Sequence, residues 1–314
     1  MFSFSTDDIA PEHRFEQWRE VRGKSLFGVT IDIPAERRRL FHGSFRAHMV
    51  GGAVASEMQA SAYLVSRTGR DIARIAGDSL CLSLQVKGGG WLDTGRGGID
   101  TVRPGDMAIC HSDLPYAGGP DSDRDFHFLM LKIPLTDEIT LGHRADDLFA
   151  AKPMESMRFM RPFRALFDAL LAPGIRLVDP AADVTHAARL ALAARGRLRL
   201  SQPEVRAAVR AGLYYGALAI MARDKLQPEL APAAVAAELG ISLRQLHILF
   251  ERAGRSFART LSALRIEAAH RLLVDMPSLS VTHIAFACGF DSLATFYRVF
   301  GSTYGTTPGN IRPS

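Results

Sequence analysis

The sequence predicts an α+β protein in which a β-barrel or jelly roll precedes an all-α region. Three observations lead to this prediction. Short apolar runs separated by Gly, Pro and Asp dominate residues 44–134. Segments rich in Ala, Leu and Arg, with helical periodicity, follow residue 134. A helix–glycine–helix pattern then occurs twice after residue 230. The 314 residues suffice for two domains of ordinary size.

The clearest strand is LCLSLQVK at residues 80–87, where apolar and polar side chains alternate with the period of two of a half-buried strand. Further strands are expected at residues 61–68, 99–102, 107–111 and 126–133. The segment GGGWLDTGRGG is expected to form a hairpin tip. Residues 7–23 predict a short amphipathic helix with Ile9, Phe15, Trp18 and Val21 on one face.

Helices are expected within 156–171, 185–200 and 203–226, and their Arg- and Ala-rich faces are most simply solvated. Two of them, packed antiparallel, could instead supply a dimer contact.

Charge and cysteine content restrict the class of protein. The chain carries a formal charge of +5, and residues 230–314 hold 8 Arg and no Lys against 5 acidic residues, so the C-terminal end is the basic one. This balance is compatible with a polyanionic partner. Three separated cysteines predict free thiols rather than a disulfide or zinc site. The acidic N-terminus and the lack of a long apolar run predict a cytoplasmic location and no membrane role. No cofactor is expected.

The repeated pattern reads VAAELGIS at residues 235–242 and IAFACGFDS at residues 284–292. In each copy a small residue permits close helix crossing, and a Gly allows the positive φ that ends a helix. A Ser or Asp then caps the next helix. This arrangement predicts two helix-turn-helix units. The segment between them, residues 256–276, predicts a helix about 30 Å long, close to the ~34 Å between successive major-groove faces.

The segments GISLRQLHILFERAGRSF and HIAFACGFDSLATFYRVFGSTYGTTPGNIR resemble the DNA-binding domain of the AraC/XylS family over residues 228–313. The segments FEQWREV, YLVSRT and RPGDMAICHSDLPY are similar to the AraC-binding-like, cupin-type sensor domain of that family over residues 10–150. The resemblance implies a sensor domain at 1–150, a helical linker that could dimerise at 151–227, and a DNA-binding domain at 228–314.

The resemblance also implies DNA contacts on both recognition helices. Base reading is expected from Arg244, His247, Ile248, Leu293, Ala294, Tyr297 and Arg298. Exposed neighbours on the same helices are Gln245 and Thr295. Phosphate positioning is expected from Arg252, Arg255, Arg259 and Arg265, together with the helix N-termini capped by Ser242 and Ser292.

A family member of this kind is expected to be a transcription regulator, an activator of a catabolic or stress operon that responds to a small-molecule inducer. Its partners are expected to be double-stranded DNA, RNA polymerase, the effector and a second copy of the chain. Candidate ligand-binding residues are polar or aromatic groups on or beside the strands: Arg67, Trp91, His111, Tyr116 and His127. Arg67 suits a ligand carboxylate or a structural ion pair.

Two alternative functions are compatible with the same sequence. A regulator controlled by a protein partner would have a barrel filled by side chains. A cupin-like metal enzyme would need converging histidines, usually with an HxH pair. No HxH pair occurs in the sequence. The candidate metal ligands are scattered along the chain, which disfavours a catalytic or metal site. They are His42, His48, Glu57, His111 and His127.

Overall fold

The computed structural model describes residues 1–153, 159–172 and 175–311. The chain forms two compact units, Met1–Val209 and Arg210–Ser314. The boundary between them falls inside the long helix α6, Pro203–Asp224. The division expected at residues 150 and 227 stays a prediction.

The first unit contains two antiparallel sheets, as expected for a jelly-roll-like domain. Its strands are β1 Phe2–Ser5, β2 Thr30–Asp32, β3 Gly43–Val50, β4 Ala53–Ala60, β5 Leu64–Arg67, β6 Ser79–Lys87, β7 Gly90–Asp93, β8 Ile99–Val102, β9 Met107–His111, β10 Tyr116–Pro120 and β11 Phe126–Pro134. One sheet has the order β1-β3-β4-β11-β6-β9, and the other has the order β2-β5-β10-β7-β8. The five expected strands are present. The expected hairpin tip is partly strand, because Gly90–Asp93 pairs with β8.

Helices in this unit are α1 Pro11–Trp18, α2 Gly69–Arg74, α3 Asp137–Thr140, α4 Met160–Leu171 and α5 Pro180–Ala194. Residues 156–158, the start of the helix expected at 156–171, lie outside the described ranges. The expected N-terminal helix ends at Trp18 and continues as a π-helical segment, Arg19–Phe27, while a 3-10 helix spans Ala35–Leu40. Phe15 and Trp18 are 1% and 0% exposed and form the core of this corner with Phe41.

The large sheet packs the β6 leucines in an apolar core. Leu80, Leu82 and Leu84 are paired across the strands with Ile133, Leu131 and Leu129, and the three β6 leucines are buried. Helices α4 and α5 pack against β3, β4 and β11 of this sheet. The alternate β6 residues Cys81, Ser83 and Gln85 are partly buried and line a cavity. A strand with this alternation thus separates an apolar core from a partly polar cavity.

The second unit consists of the end of α6, α7 Pro232–Leu239, α8 Leu243–Arg252, α9 Phe257–Asp275, α10 Val281–Ala287, α11 Leu293–Tyr304 and a 3-10 turn at Pro308–Ile311. The rings of Tyr214, Phe250 and Phe257 form a chain with centroid separations of 5.4 and 5.5 Å. A second cluster surrounds Phe296 and Phe300, which are both 0% exposed. In the described residues no single helix is long and apolar enough to cross a membrane, although α7 and α8 together are, across a 100° bend.

The two glycines of the repeated pattern occupy the left-handed region, with φ of +68° at Gly240 and +81° at Gly289. Their surroundings differ. A Cβ on Gly240 would meet nothing within 4 Å, whereas a Cβ on Gly289 would lie 2.8 Å from the Lys225 carbonyl oxygen and 2.9 Å from Arg265 Nε. Gly240 is therefore required by backbone conformation alone, and Gly289 by conformation and space.

Substitution of the two glycines is expected to have unequal effects. Gly240→Ala should cost about 1–2 kcal/mol, the price of a left-handed residue with a Cβ. Gly289→Ala should cost a further ~1–3 kcal/mol, because the added methyl displaces Arg265 or the chain at Lys225. Thermal unfolding of both variants measures the difference. Equal losses would contradict the close approach at Gly289.

Candidate DNA interface and effector cavity

Helix α8 begins at a reciprocal cap. The Ser242 hydroxyl accepts a hydrogen bond from the backbone N–H of Gln245, and Gln245 Oε1 accepts from the backbone N–H of Ser242 at 2.9 Å. Leu246 and Leu249 are buried, which leaves Arg244 and His247 exposed and Ile248 partly exposed. The Gln245 side chain, expected among the DNA contacts, thus has its carbonyl engaged in the cap.

Helix α11 repeats this arrangement with a simpler cap, in which the Ser292 hydroxyl accepts from the Thr295 backbone N–H. Phe296 and Phe300 face the core. Ala294, Tyr297 and Arg298 are exposed, whereas Ser292, Leu293 and Thr295 are partly buried. Both helices therefore present one apolar face to the core and a free face to solvent, as recognition helices must.

Most of the expected arginine contacts are exposed and have no carboxylate within 4 Å among the described residues: Arg244, Arg252, Arg255, Arg259 and Arg298. Other arginines of this unit are engaged, since Arg223 pairs with Glu238 at 2.7 Å. Exposed, unpaired guanidinium groups are available for phosphates or base edges.

Arg265 differs from the expectation of a phosphate contact. Its Nε donates to the Lys225 carbonyl oxygen at 2.8 Å, and its Nη2 donates to the Gln227 carbonyl oxygen at 2.6 Å. These bonds fasten α9 to the chain that leads into α7. The sequence could not separate Arg265 from its neighbours, because its acceptors are carbonyl groups about forty positions away in the chain.

The 19-residue helix α9 connects the two helix-turn-helix motifs. At 1.5 Å per residue it is about 28 Å long. This length approaches the ~34 Å helical repeat of B-DNA, so it suits two recognition helices in successive major grooves.

A cavity of about 260 Å³ lies between the two sheets of the first unit. Residues of both sheets line it, together with Arg22 and Phe27 of the π-helical segment and residues 150–152. Its walls carry aromatic rings and thioethers, including those of Phe126, Phe128 and Met130. A cleft whose surface is mainly apolar and which carries several polar side chains is typical of a small-molecule site.

Arg67 lines this cavity, but its donors are occupied. Its guanidinium donates to the carbonyl oxygens of Phe27, Gly28, Ile75 and Ser112, and Nη2 lies 3.2 Å from Asp113 Oδ1. A guanidinium has five N–H donors. The geometry therefore favours the structural ion pair over a ligand contact for Arg67.

Two of the expected ligand-binding residues are histidines with protein partners. His111 borders the cavity, yet its Nε2 lies 3.0 Å from Asp78 Oδ1 and its Nδ1 accepts from the Asp113 backbone N–H. His127 is outside the cavity lining. Its Nε2 lies 3.0 Å from Glu57 Oε1 without a well-directed hydrogen bond.

Trp91 and Tyr116 are the expected residues best placed for a ligand, since both line the cavity from the smaller sheet. Gly119 makes room for the indole, because a Cβ there would lie 2.8 Å from Trp91 Nε1. Burial raises the pKa of Tyr116 to about 12. Its hydroxyl, which is protonated at neutral pH with or without this shift, is available as a hydrogen-bond donor to a ligand.

The structure brings together two cysteines that are distant in sequence. Cys81 on β6 and Cys110 on β9 are register partners, and both line the cavity. A hydrogen bond with Cys110 and the nearby Lys132 ammonium lower the pKa of the Cys81 thiol, against the effect of burial. Both are free thiols, as the sequence predicts.

Sequence reasoning missed Arg22. This arginine is 6% exposed and lines the cavity. Its Nε donates to Met58 Sδ at 3.1 Å, and its guanidinium carbon lies 4.5 Å from the Phe27 ring centroid. Its Nη1 is enclosed without a hydrogen-bond partner. A signal was present, since Arg22 follows Trp18 by four residues and Phe15 by seven, which places it on the buried face.

Comparison with known proteins identifies the class. Residues 18–194 match the AraC-binding-like domain, and residues 235–314 match a helix-turn-helix domain. The first match covers more than half of the chain, so the protein belongs to the AraC/XylS family of transcription regulators.

Individual relatives resemble about a quarter of the chain. The chain is 40% identical over 78 residues to the transcriptional activator NphR of Rhodococcus sp, a match that covers 25% of this chain and 23% of NphR. It is 41% identical over 80 residues to the regulator GlxA of Rhizobium meliloti, covering 25% and 24% of the two chains. The matches thus span about a quarter of these relatives.

Among solved structures, the AraC-like transcriptional activator CuxR is similar over 91% of this chain and 99% of its own, with 18% identity and a TM-score of 0.49.

Substitutions in the second unit are expected to separate three roles of arginine. Arg244→Ala should reduce discrimination between specific and nonspecific DNA by about 1–3 kcal/mol, as for a lost base contact. Arg259→Ala should weaken binding to all sequences and reduce the salt slope by about 1, as for a lost phosphate contact. Arg265→Ala should lower the unfolding temperature by about 5 °C or more, because it removes charge-assisted bonds.

Fluorescence anisotropy with specific and random duplexes at several salt concentrations, together with thermal unfolding, measures these effects. An unchanged affinity ratio in Arg244→Ala would show that the register assigned to α8 is wrong. If the unfolding temperature of Arg265→Ala were unchanged, the structural role of Arg265 would be wrong and a phosphate contact would be favoured again.

Proposed function

We propose that the protein is a sequence-specific DNA-binding transcription regulator that activates a catabolic or stress operon in response to a small-molecule effector. The observation that carries the proposal is the pair of capped helices, α8 and α11, whose free faces hold exposed arginines without carboxylate partners. Such groups are the ones that bind DNA phosphates and guanine edges.

The two recognition helices differ in what they offer to bases. Helix α8 presents Arg244 and His247, which hydrogen-bond base edges, whereas α11 begins with Leu293 and Ala294, which contact only thymine methyl groups. Tyr297 and Arg298 extend the polar surface of α11. We therefore expect the half-site under α8 to contribute more direct readout, and the half-site under α11 to depend more on DNA shape.

The cavity supports control by an effector over control by a protein partner, since the latter predicts a barrel filled by side chains. Trp91 and Tyr116 are proposed as ligand contacts, with Arg67 and His111 as parts of the wall. A metal enzyme has less support, because no group of three or more His, Cys, Asp or Glu side chains is placed to hold a metal among the described residues. RNA polymerase as a partner, a homodimer and a cytoplasmic location complete the proposal.

A selection from random duplex DNA with the full chain tests this function. The protein is expected to enrich a bipartite site whose two halves are about one helical turn apart, because the helices belong to one domain joined by α9. Binding should weaken steeply with salt, through release of counterions from several phosphates. A folded protein that enriches no motif and binds duplexes without salt dependence would refute DNA recognition.

A further inference from the structure

Arg22 is a buried cation without an anion. It is 6% exposed, and no carboxylate of the described residues lies within 4 Å of it. Its hydrogen bond to Met58 Sδ uses a weak acceptor, and its Nη1 has no partner. Arginine stays protonated in proteins, so the site cannot relieve this charge by losing a proton. An unpaired buried charge is strongly unfavourable.

The neighbouring Arg67 shows what a structural arginine looks like in this domain. It is 5% exposed, and its N–H groups reach four carbonyl oxygens and the Asp113 carboxylate. Arg22 lines the same cavity and is equally buried, but it has none of these oxygen partners. This difference in hydrogen bonding is the one expected between an arginine that stabilises the fold and an arginine that binds a ligand.

The charges around the cavity point to an anion. Basic side chains in its lining are Arg22, Arg67, Lys132 and Lys152. Arg67 pairs with Asp113, and Lys152 Nζ lies 2.6 Å from Asp106 Oδ2. Arg22 and Lys132 have no such ion pair among the described residues. The remaining acidic residue of the lining, Asp100, is solvent-exposed. The enclosed part of the cavity therefore has an excess of positive charge.

The other walls define the rest of the ligand. Phe27 lies under the Arg22 guanidinium, and Tyr63, Phe126 and Phe128 continue an apolar surface from it. A molecule that satisfies both parts has an anionic head group and an apolar body. The planar fork of arginine suits a carboxylate, which can accept two parallel hydrogen bonds.

We propose that the cavity binds a small apolar carboxylic acid and that Arg22 receives its carboxylate. This inference rests on the proposed function in treating the cavity as the effector site. The carboxylate supplies the oxygen acceptors that Arg22 lacks in the protein. The aromatic side chains of the cavity bury the remainder of the ligand.

Isothermal titration calorimetry of the full chain tests the proposal with matched acids and amides: benzoate and benzamide, 3-phenylpropanoate and 3-phenylpropanamide, hexanoate and hexanamide. At least one acid is expected to bind about 10-fold or more tightly than its amide, because charge-assisted hydrogen bonds are the stronger ones. Arg22→Met should weaken the acid by roughly 10- to 100-fold and change the amide little.

Two further variants serve as controls. Arg19→Met removes the same charge from the same segment, but Arg19 is partly exposed and paired with Glu16, so acid binding should persist. Arg22→Lys keeps the charge without the fork and should give intermediate affinity. Ligand-free Arg22→Met should unfold at the wild-type temperature or above, since an apolar side chain replaces an unpaired buried charge. A structural role for Arg22 predicts a lower temperature instead.

The outcomes separate this inference from the proposed function. Amides that bind as tightly as acids, or acid binding unaffected by Arg22→Met, would overturn the role of Arg22 while leaving the cavity as an effector site. If no acid bound, the carboxylate inference would fail, whereas the proposed effector role of the cavity extends to other classes of small molecule. DNA recognition by the second unit would still be judged by its own experiment.

Discussion

A guanidinium group has five N–H donors and a permanent charge, and the fold must provide acceptors for each donor that it buries. This constraint divides the arginines of the chain by role. Arg67 and Arg265 find backbone carbonyl oxygens and fasten distant segments together. Arg22 is buried without oxygen acceptors, and Arg244 and Arg259 are exposed without carboxylate partners. The first two sustain the fold, and the others are the arginines that we propose for a ligand and for DNA.

The cavity of the first unit results from the two-residue alternation of side chains along β6. Leucines on one face of β6 pack in the apolar core beneath the helices, so the intervening Cys81, Ser83 and Gln85 face the opposite sheet. Small and polar side chains there do not fill the space between the sheets. The same alternation that stabilises the domain therefore leaves the cavity between its sheets.

Local pattern was enough to predict much of this protein. The helix-turn-helix units follow from residues within a few positions of each other, such as Ser242 capping the N–H of Gln245, and the alternation in β6 is likewise local. The remaining features depend on contacts between distant residues. Cys81 meets Cys110 through sheet register, and Arg67 meets Ser112 through the turn after β9. The spacing of these residues along the sequence does not predict that they pair. Arg22 lay within the helix predicted at residues 7–23 but not on the face predicted to be apolar, and its burial and missing hydrogen-bond partners are visible only in three dimensions.

The central claim is that occupancy of the cavity controls DNA binding, and thermodynamic linkage tests it most directly. The dissociation constant of the full chain for its selected DNA site should be measured with and without a saturating acid, and the acid's dissociation constant with and without DNA. The account predicts that both change by the same factor, on the order of 5- to 150-fold. In Arg22→Met, acid concentrations that saturate the wild type should leave DNA affinity unchanged. An acid that occupies the wild-type cavity and leaves DNA affinity and promoter output unaltered would contradict the account.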